Sequence, residues 1–164
     1  MNENLINSIS LRSWHNDDFE QSVVLNREAE EHIGMASETG DWANDMRDIE
    51  KTFIRSGGEF LIGLLAEKFV VMGGFKPLSA TTAEIKRMRV TPELQGKGIG
   101  RWFLGILEDR IRSSGVPIIE VSTTSEQEGA LRLYSGSGYI ETGRRVEDRE
   151  HDFGLTIVSF VKEL

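Results

Sequence analysis

The chain predicts an α/β fold in which one sheet layer is covered by helices. Three observations carry this: hydrophobic periodicity that switches between about 2 and about 3.6 residues, a length of 164 residues that suits a single core, and glycine or serine punctuation between the periodic segments. The predicted order is strand, two helices, three strands, helix, strand, helix, two strands. No repeat, linker or low-complexity stretch interrupts it, so residues 9–164 are expected to form one domain, with 1–8 as an N-terminal extension.

Each element has its own local cause. Ile9, Leu11 and Ser13 alternate with polar neighbours and read as a first strand. Asn16 and Asp17 offer an N-cap, and Phe19, Val23, Ala29 and Ile33 are spaced as the apolar face of a helix running to about Ser37. Trp42, Met46, Ile49 and Phe53 repeat that spacing in a second helix, ended by Ser56, Gly57 and Gly58. FLIGLLAE and FVVMGGF, separated by little more than Glu67 and Lys68, predict a hairpin. In AEIKRMRV the alternation slips between Ile85 and Met88, which predicts a bulge. A helix from Arg101 to Arg112, a buried strand PIIEVST, a helix opened by the capping box Ser125 to Glu128, and the strands YIETGRRV and LTIVSFV complete the chain.

Composition excludes several functions. Without cysteine there is no disulfide, thiolate metal site or cysteine nucleophile. His15, His32 and His151 show no metal-ligand spacing, so no metal is expected. A formal net charge of -8 argues against nucleic acid as a partner. No apolar stretch approaches about 18 residues and MNENLINSIS lacks a signal pattern, so a cytoplasmic protein without membrane contact is expected. Lys86, Arg87, Arg89, Lys97 and Arg101 nevertheless cluster around one glycine-rich segment, which suggests a small anionic ligand, the plain alternative being solvated faces.

That segment is QGKGIG, residues 95–100. A P-loop would need Ser or Thr after its GK, and a dinucleotide fingerprint would need glycine at Arg101; neither is present. Backbone N–H groups of Gln95, Gly96, Lys97, Gly98, Ile99 and Gly100 can still converge on a pyrophosphate where the next helix begins. A glycine-rich structural turn is the plain alternative.

Here the chain resembles the GCN5-related N-acetyltransferase superfamily, whose fingerprint [QR]xxGx[GA] is matched by Gln95, Gly98 and Gly100. The second hallmark of that family, AxxLYxxxGF, is similar to Ala130, Leu133, Tyr134, Gly138 and Tyr139. The resemblance implies a mixed, largely antiparallel sheet of about seven strands flanked by about four helices and splayed between the fourth and fifth strands. It implies acetyl-CoA as cofactor and transfer to a primary amine in a ternary complex. Met88 and Val90, with Arg89 between them, would line the pantetheine arm; Lys97 and Arg101 would help neutralise the phosphates. Gln127 stands where the family often carries a cofactor-binding asparagine.

Acetyl transfer to an amine asks for a base, a polarised carbonyl and a proton for the leaving thiolate. Deprotonating a lysine-like amine of pKa about 10.4 at neutral pH costs roughly 4 to 5 kcal/mol, so a base helps. By resemblance the base is Glu84, whose alternative role is an outward carboxylate paired with a lysine or arginine. By the same resemblance the carbonyl donor is the Met88 N–H at the bulge and the acid is Tyr134. The acidic segments EAEEHIGMASETGDW and VEDREHD point either to a cationic acceptor, whether polyamine, aminoglycoside, amino acid or protein lysine, or to plain solubility charge. A non-catalytic acyl-CoA-binding module on the same fold is the competing reading, and a homodimer is left open.

Overall fold

In the computed structural model, residues 3–34, 44–149 and 152–164 are described. The strands are β1 (Ser10–Ser13), β2 (Glu59–Leu65), β3 (Lys68–Pro77), β4 (Thr82–Val90), β5 (Ile118–Thr124), β6 (Ile140–Arg149) and β7 (Asp152–Glu163), and the helices are α1 (Glu3–Asn7), α2 (Phe19–His32), α3 (Asn44–Arg47), α4 (Ile99–Ser113) and α5 (Glu128–Ser135). They form one seven-stranded sheet in the order β1-β2-β3-β4-β5-β7-β6. Neighbours are antiparallel except β4 and β5, which run parallel and pair from Thr82↔Ile118 to Ile85↔Val121. Beyond that ladder β4 continues to Val90 and β5 to Thr124. Among the described residues no helix is long and apolar enough to cross a membrane.

Each face of the sheet has its own core. Phe103, Leu104, Leu107 and Ile111 of α4 pack on Ile85, Ile119, Val121 and Phe160, and Ile6 of α1 joins the same cluster. On the other face Leu25, Met46, Ile49 and Phe53 pack against Phe60, Ile62 and Met72. The expected second helix is thus replaced by short α3 and a π-helical turn at Glu50–Ile54; Trp42, assigned to it, lies outside the described residues. Its apolar spacing was sound, since Met46, Ile49 and Phe53 are all buried.

The β2–β3 hairpin closes through Ala66 at φ 48° and Glu67 at φ 65°. Both residues are left-handed, the shape that a two-residue hairpin turn demands and that glycine or asparagine usually supplies. The β4 slip is also present. Met72 faces Arg89 and Gly74 faces Lys86, so Gly73 alone opposes Arg87 and Met88, which makes a bulge. A Cβ on Gly73 would lie 3.0 Å from Met88 Cγ and 3.1 Å from its Cα. The bulge therefore needs a bare backbone across from it.

Two expectations are corrected. In α2 the buried face carries Ser22, Leu25, Ala29 and Glu30, whereas Phe19, Val23 and Ile33 are exposed. Polar anchoring turned the helix: the Trp14 indole N–H donates to Ser22 Oγ at 3.1 Å, and Glu30 meets cations of β4. The capping box at Ser125 does not form either. α5 begins at Glu128 with Gln127 before it, and Ser125 Oγ donates to Glu126 at 2.9 Å instead.

Phe103 is fully buried between α4 and the sheet, so Phe103→Ala should cost about 3 to 5 kcal/mol. Urea unfolding is expected to show a lower midpoint at unchanged slope; an unshifted midpoint would contradict this packing.

Candidate active site

The glycine segment is anchored at both ends. Gln95 Nε2 donates to the Val90 carbonyl at 3.0 Å, tying the loop to the end of β4. Gly96 and Gly98 take φ values of 72° and 89°, a region that side chains disfavour. Gly98 precedes α4, and Trp102 N–H donates to its carbonyl at 3.1 Å as the first turn closes. The N–H groups of Ile99, Gly100 and Arg101 therefore lack a carbonyl one turn back within the helix and are available to an anion at the positive end of its dipole. Ile99 contributes backbone only, because its side chain is buried in the core. Lys97 and Arg101 are exposed beside the loop.

Two cavities meet beside this loop. The larger, about 430 Å3, is walled by Gln95, Gly96, Gly98, Gly100 and Arg101, by Val90, by α5, and by Ala29 and Glu30 of α2. The smaller, about 190 Å3, is walled by Glu84, Lys86 and Arg87 of β4 and by Ser122, Thr123 and Thr124 of β5. Met88, Arg89, Gln127, Ala130 and Tyr134 line both. The cavities thus share a wall where β4 and β5 have passed the end of their ladder.

Tyr134 sits in that wall with 6% of its surface exposed. Its ring packs edge-on against Tyr139, centroids 5.5 Å apart, and lies 5.8 Å from Phe160. Burial pushes its hydroxyl pKa up to about 12, against a smaller opposing effect of the Arg89 charge. The group is a protonated donor at neutral pH. Glu84 lines the smaller cavity, and its Oε2 lies 3.6 Å from Lys76 Nζ. The pairing with a lysine, the alternative role of Glu84, is thus present.

The basic cluster is divided, which corrects the picture of a single anion pocket. Arg87 Nε reaches both Asp45 carboxylate oxygens at 3.0 Å, and its Nη2 reaches Oδ1 at 2.7 Å. Lys86 Nζ lies 3.1 Å from the same carboxylate. Arg89 Nε donates to Asn26 Oδ1 at 3.0 Å, and its Nη2 lies 3.4 Å from Glu30 Oε1. Burial alone would raise Asp45, but Arg87 and then Lys86 hold it below the usual carboxylate range. The cations of β4 are bound to side chains of α2 and α3, whereas Lys97 and Arg101 belong to the glycine segment and the first turn of α4.

The acidic segments contribute unequally. Glu30 is buried in the network above, while Glu28 and Glu31 are exposed. Glu147 pairs with Arg145 at 2.8 Å. Glu38, Asp41 and Glu150, with the side chains of Asp148 and Asp152, lie outside the described residues. Sequence reasoning missed Asn26 and Asp45, because their partners stand 63 and 42 residues away. It also missed Thr123, a buried hydroxyl without a hydrogen-bond partner in the wall of the smaller cavity. No local pattern marks any of the three.

Comparison with known proteins bears on this arrangement. A sequence pattern described as Acetyltransferase (GNAT) family matches residues 7–139. Over 106 residues the chain is 26% identical to N-acetyltransferase 8F1 of Rattus norvegicus; the match covers 62% of this chain and 48% of that protein, so the chain spans about half the length of this curated relative. Among solved structures, an acetyltransferase from Streptococcus agalactiae superposes with a TM-score of 0.81 at 21% identity, covering 96% of this chain and 99% of that one. The spermidine N-acetyltransferase of Vibrio cholerae, in complex with CoA and spermine, superposes with a TM-score of 0.73 at 18% identity, covering 96% of each chain. At these identities the structural likeness establishes the shared fold. The family pattern spans most of the chain, and by that match the chain belongs to the acetyltransferase (GNAT) family.

Proposed function

We propose that the chain is an acetyl-CoA-dependent N-acetyltransferase that moves the acetyl group directly to a primary amine, with a small cationic amine as acceptor. The observation that carries this is the meeting of two cavities at Met88 and Tyr134, one of them walled by the glycine loop. The larger cavity suits acetyl-CoA because the left-handed glycines leave bare backbone at a helix N-terminus, with Lys97 and Arg101 alongside. Acetyl-CoA would supply the acyl thioester. The spermidine N-acetyltransferase of the same fold, crystallised with CoA and spermine, supports a cationic acceptor.

In this reading the amine enters through the smaller cavity, losing its proton to Glu84 directly or through water. The Met88 N–H, at the bulge, donates to the acyl oxygen as the nitrogen attacks. As the carbon–sulfur bond breaks, Tyr134 would give its proton to the departing thiolate, and the second proton of the attacking nitrogen, released as the amide forms, would return to the tyrosine through water. Transfer within a ternary complex fits a chain that has no cysteine to carry an acetyl group.

Three variants and a screen test the scheme. Gly98→Val places a side chain at φ 89° beside the helix start; calorimetry should show CoA affinity reduced by about tenfold or more, about 1.4 kcal/mol, with the circular dichroism spectrum intact. Unchanged affinity would remove the glycine loop from the binding site. Tyr134→Phe should lower kcat by about 100-fold while CoA binding changes little. A wild-type rate would leave the tyrosine as packing. Glu84→Gln should depress the rate most at low pH, where the free amine is scarcest, and identical pH profiles would place the base elsewhere. The acceptor comes from a screen of polyamines, aminoglycosides, amino acids and lysine peptides, in which an anionic best acceptor would refute the cationic assignment.

A further inference from the structure

Arg87 is a buried arginine in a left-handed conformation, φ 57°. A non-glycine residue holds such a conformation only where its surroundings over-determine it. Here the determinant is visible. The side chain, 7% exposed, meets Asp45 through Nε and Nη2, and its Nη1 lies 3.9 Å from Glu30 Oε1. The Asp45 side chain, 10% exposed, also takes Lys86 at 3.1 Å. Two consecutive residues of β4 are thereby drawn to one carboxylate on the α3 side of the sheet.

In a regular strand Lys86 and Arg87 would point to opposite faces. Because both are drawn to the α3 side, alternation restarts one residue late. Ile85 packs in the cluster under α4, and Met88, three residues and not two after Ile85, packs against that same cluster, as does Val90 two residues further on. The extra residue lies opposite Gly73, whose missing Cβ leaves room for Met88. The result is Met88 in the wall that both cavities share.

We propose that Asp45 is a positioning residue for acetyl transfer: by holding Arg87 through a two-pronged contact, it maintains the left-handed bulge that sets Met88 in the wall between the two cavities. This inference rests on the proposal that the Met88 N–H donates to the acyl oxygen. Asp45 itself touches neither the larger cavity nor the reacting atoms in this scheme. Its effect passes through the backbone of two residues.

The test is a double-mutant cycle built on the one residue type that adopts positive φ without help. Asp45→Asn should lower kcat about 10- to 100-fold, short of the roughly 100- to 1,000-fold loss when an oxyanion donor is deleted outright, with KM for acetyl-CoA nearly constant. In the Arg87→Gly background, whatever rate that variant itself shows, adding Asp45→Asn should change kcat by less than about twofold. A carboxylate that acted through Lys86 or through the packing of α3, independently of Arg87, would cost the same in both backgrounds. The 15N-labelled Met88 amide reports placement independently: its resonance should move in Asp45→Asn and stay put when the same substitution is added to Arg87→Gly.

Equal losses in the two backgrounds, or a Met88 amide unmoved by Asp45→Asn, overturn the inference. An amide that moves without any loss of kcat overturns Met88 as the carbonyl donor, and the catalytic role of Asp45 falls with it. Should Asp45→Asn alone not fold, Arg87→Gly is compared with Arg87→Gly/Asp45→Asn: equal rates support the inference, and a further loss of about fivefold or more refutes it.

Discussion

The bulge in β4 is the constraint on which the rest of the site depends. A strand that alternated without interruption would carry Met88 to the face of the helix pair α2 and α3, and Arg87 into the apolar cluster beneath α4. The extra residue between Lys86 and Met88 reverses both placements. It also comes two residues after Ile85, where the parallel ladder with β5 ends. The change of face and the end of pairing together place β4 backbone at the junction of the two cavities.

A bulge of this kind carries an energetic cost that hydrophobic packing does not offset. An L-residue in the left-handed region loses about 1 to 2 kcal/mol relative to the right-handed one, and a buried guanidinium is costly unless paired. The network of Arg87, Arg89, Asp45, Glu30 and Asn26 meets both demands with five side chains from three elements. Such networks add little net stability over apolar packing. Here they couple α2 and α3 to the strand that walls the smaller cavity. Where those helices sit and where Met88 sits are one question.

In the proposed scheme the glycine loop answers a separate requirement. Binding phosphate through backbone N–H groups requires that no side chain stand between helix and ligand, and that the chain turn sharply before the helix begins. Gly96 and Gly98 turn in the left-handed region, while Ile99 buries its side chain in the core and Gln95 ties the loop to Val90. The loop is thus rigid at both ends and bare in the middle. The surrounding fold, shared with structures near 20% identity, supplies the frame, and the residues of this chain supply whatever chemistry occurs in it.

The division between sequence and structure follows the range of the interactions. Local patterns were legible: the order of strands and helices, the β2–β3 hairpin, the glycine loop before α4, and the bulge, betrayed by the three-residue step from Ile85 to Met88 in place of two. Each depends on residues within one or two turns of each other. The buried face of α2 was not legible, because Phe19 and Val23 have the right spacing for a core and yet lie outside it, displaced by the anchors at Ser22 and Glu30. Nor could the chain order show that the cations flanking the glycines divide, three of them bound by carboxylates and an amide from distant helices. Those partners are 41 to 63 residues away along the chain (86 − 45 = 41 at the shortest). Side-chain pattern decides which elements form; only their packing decides which charge meets which, since that depends on distances in space that spacing along a chain does not encode.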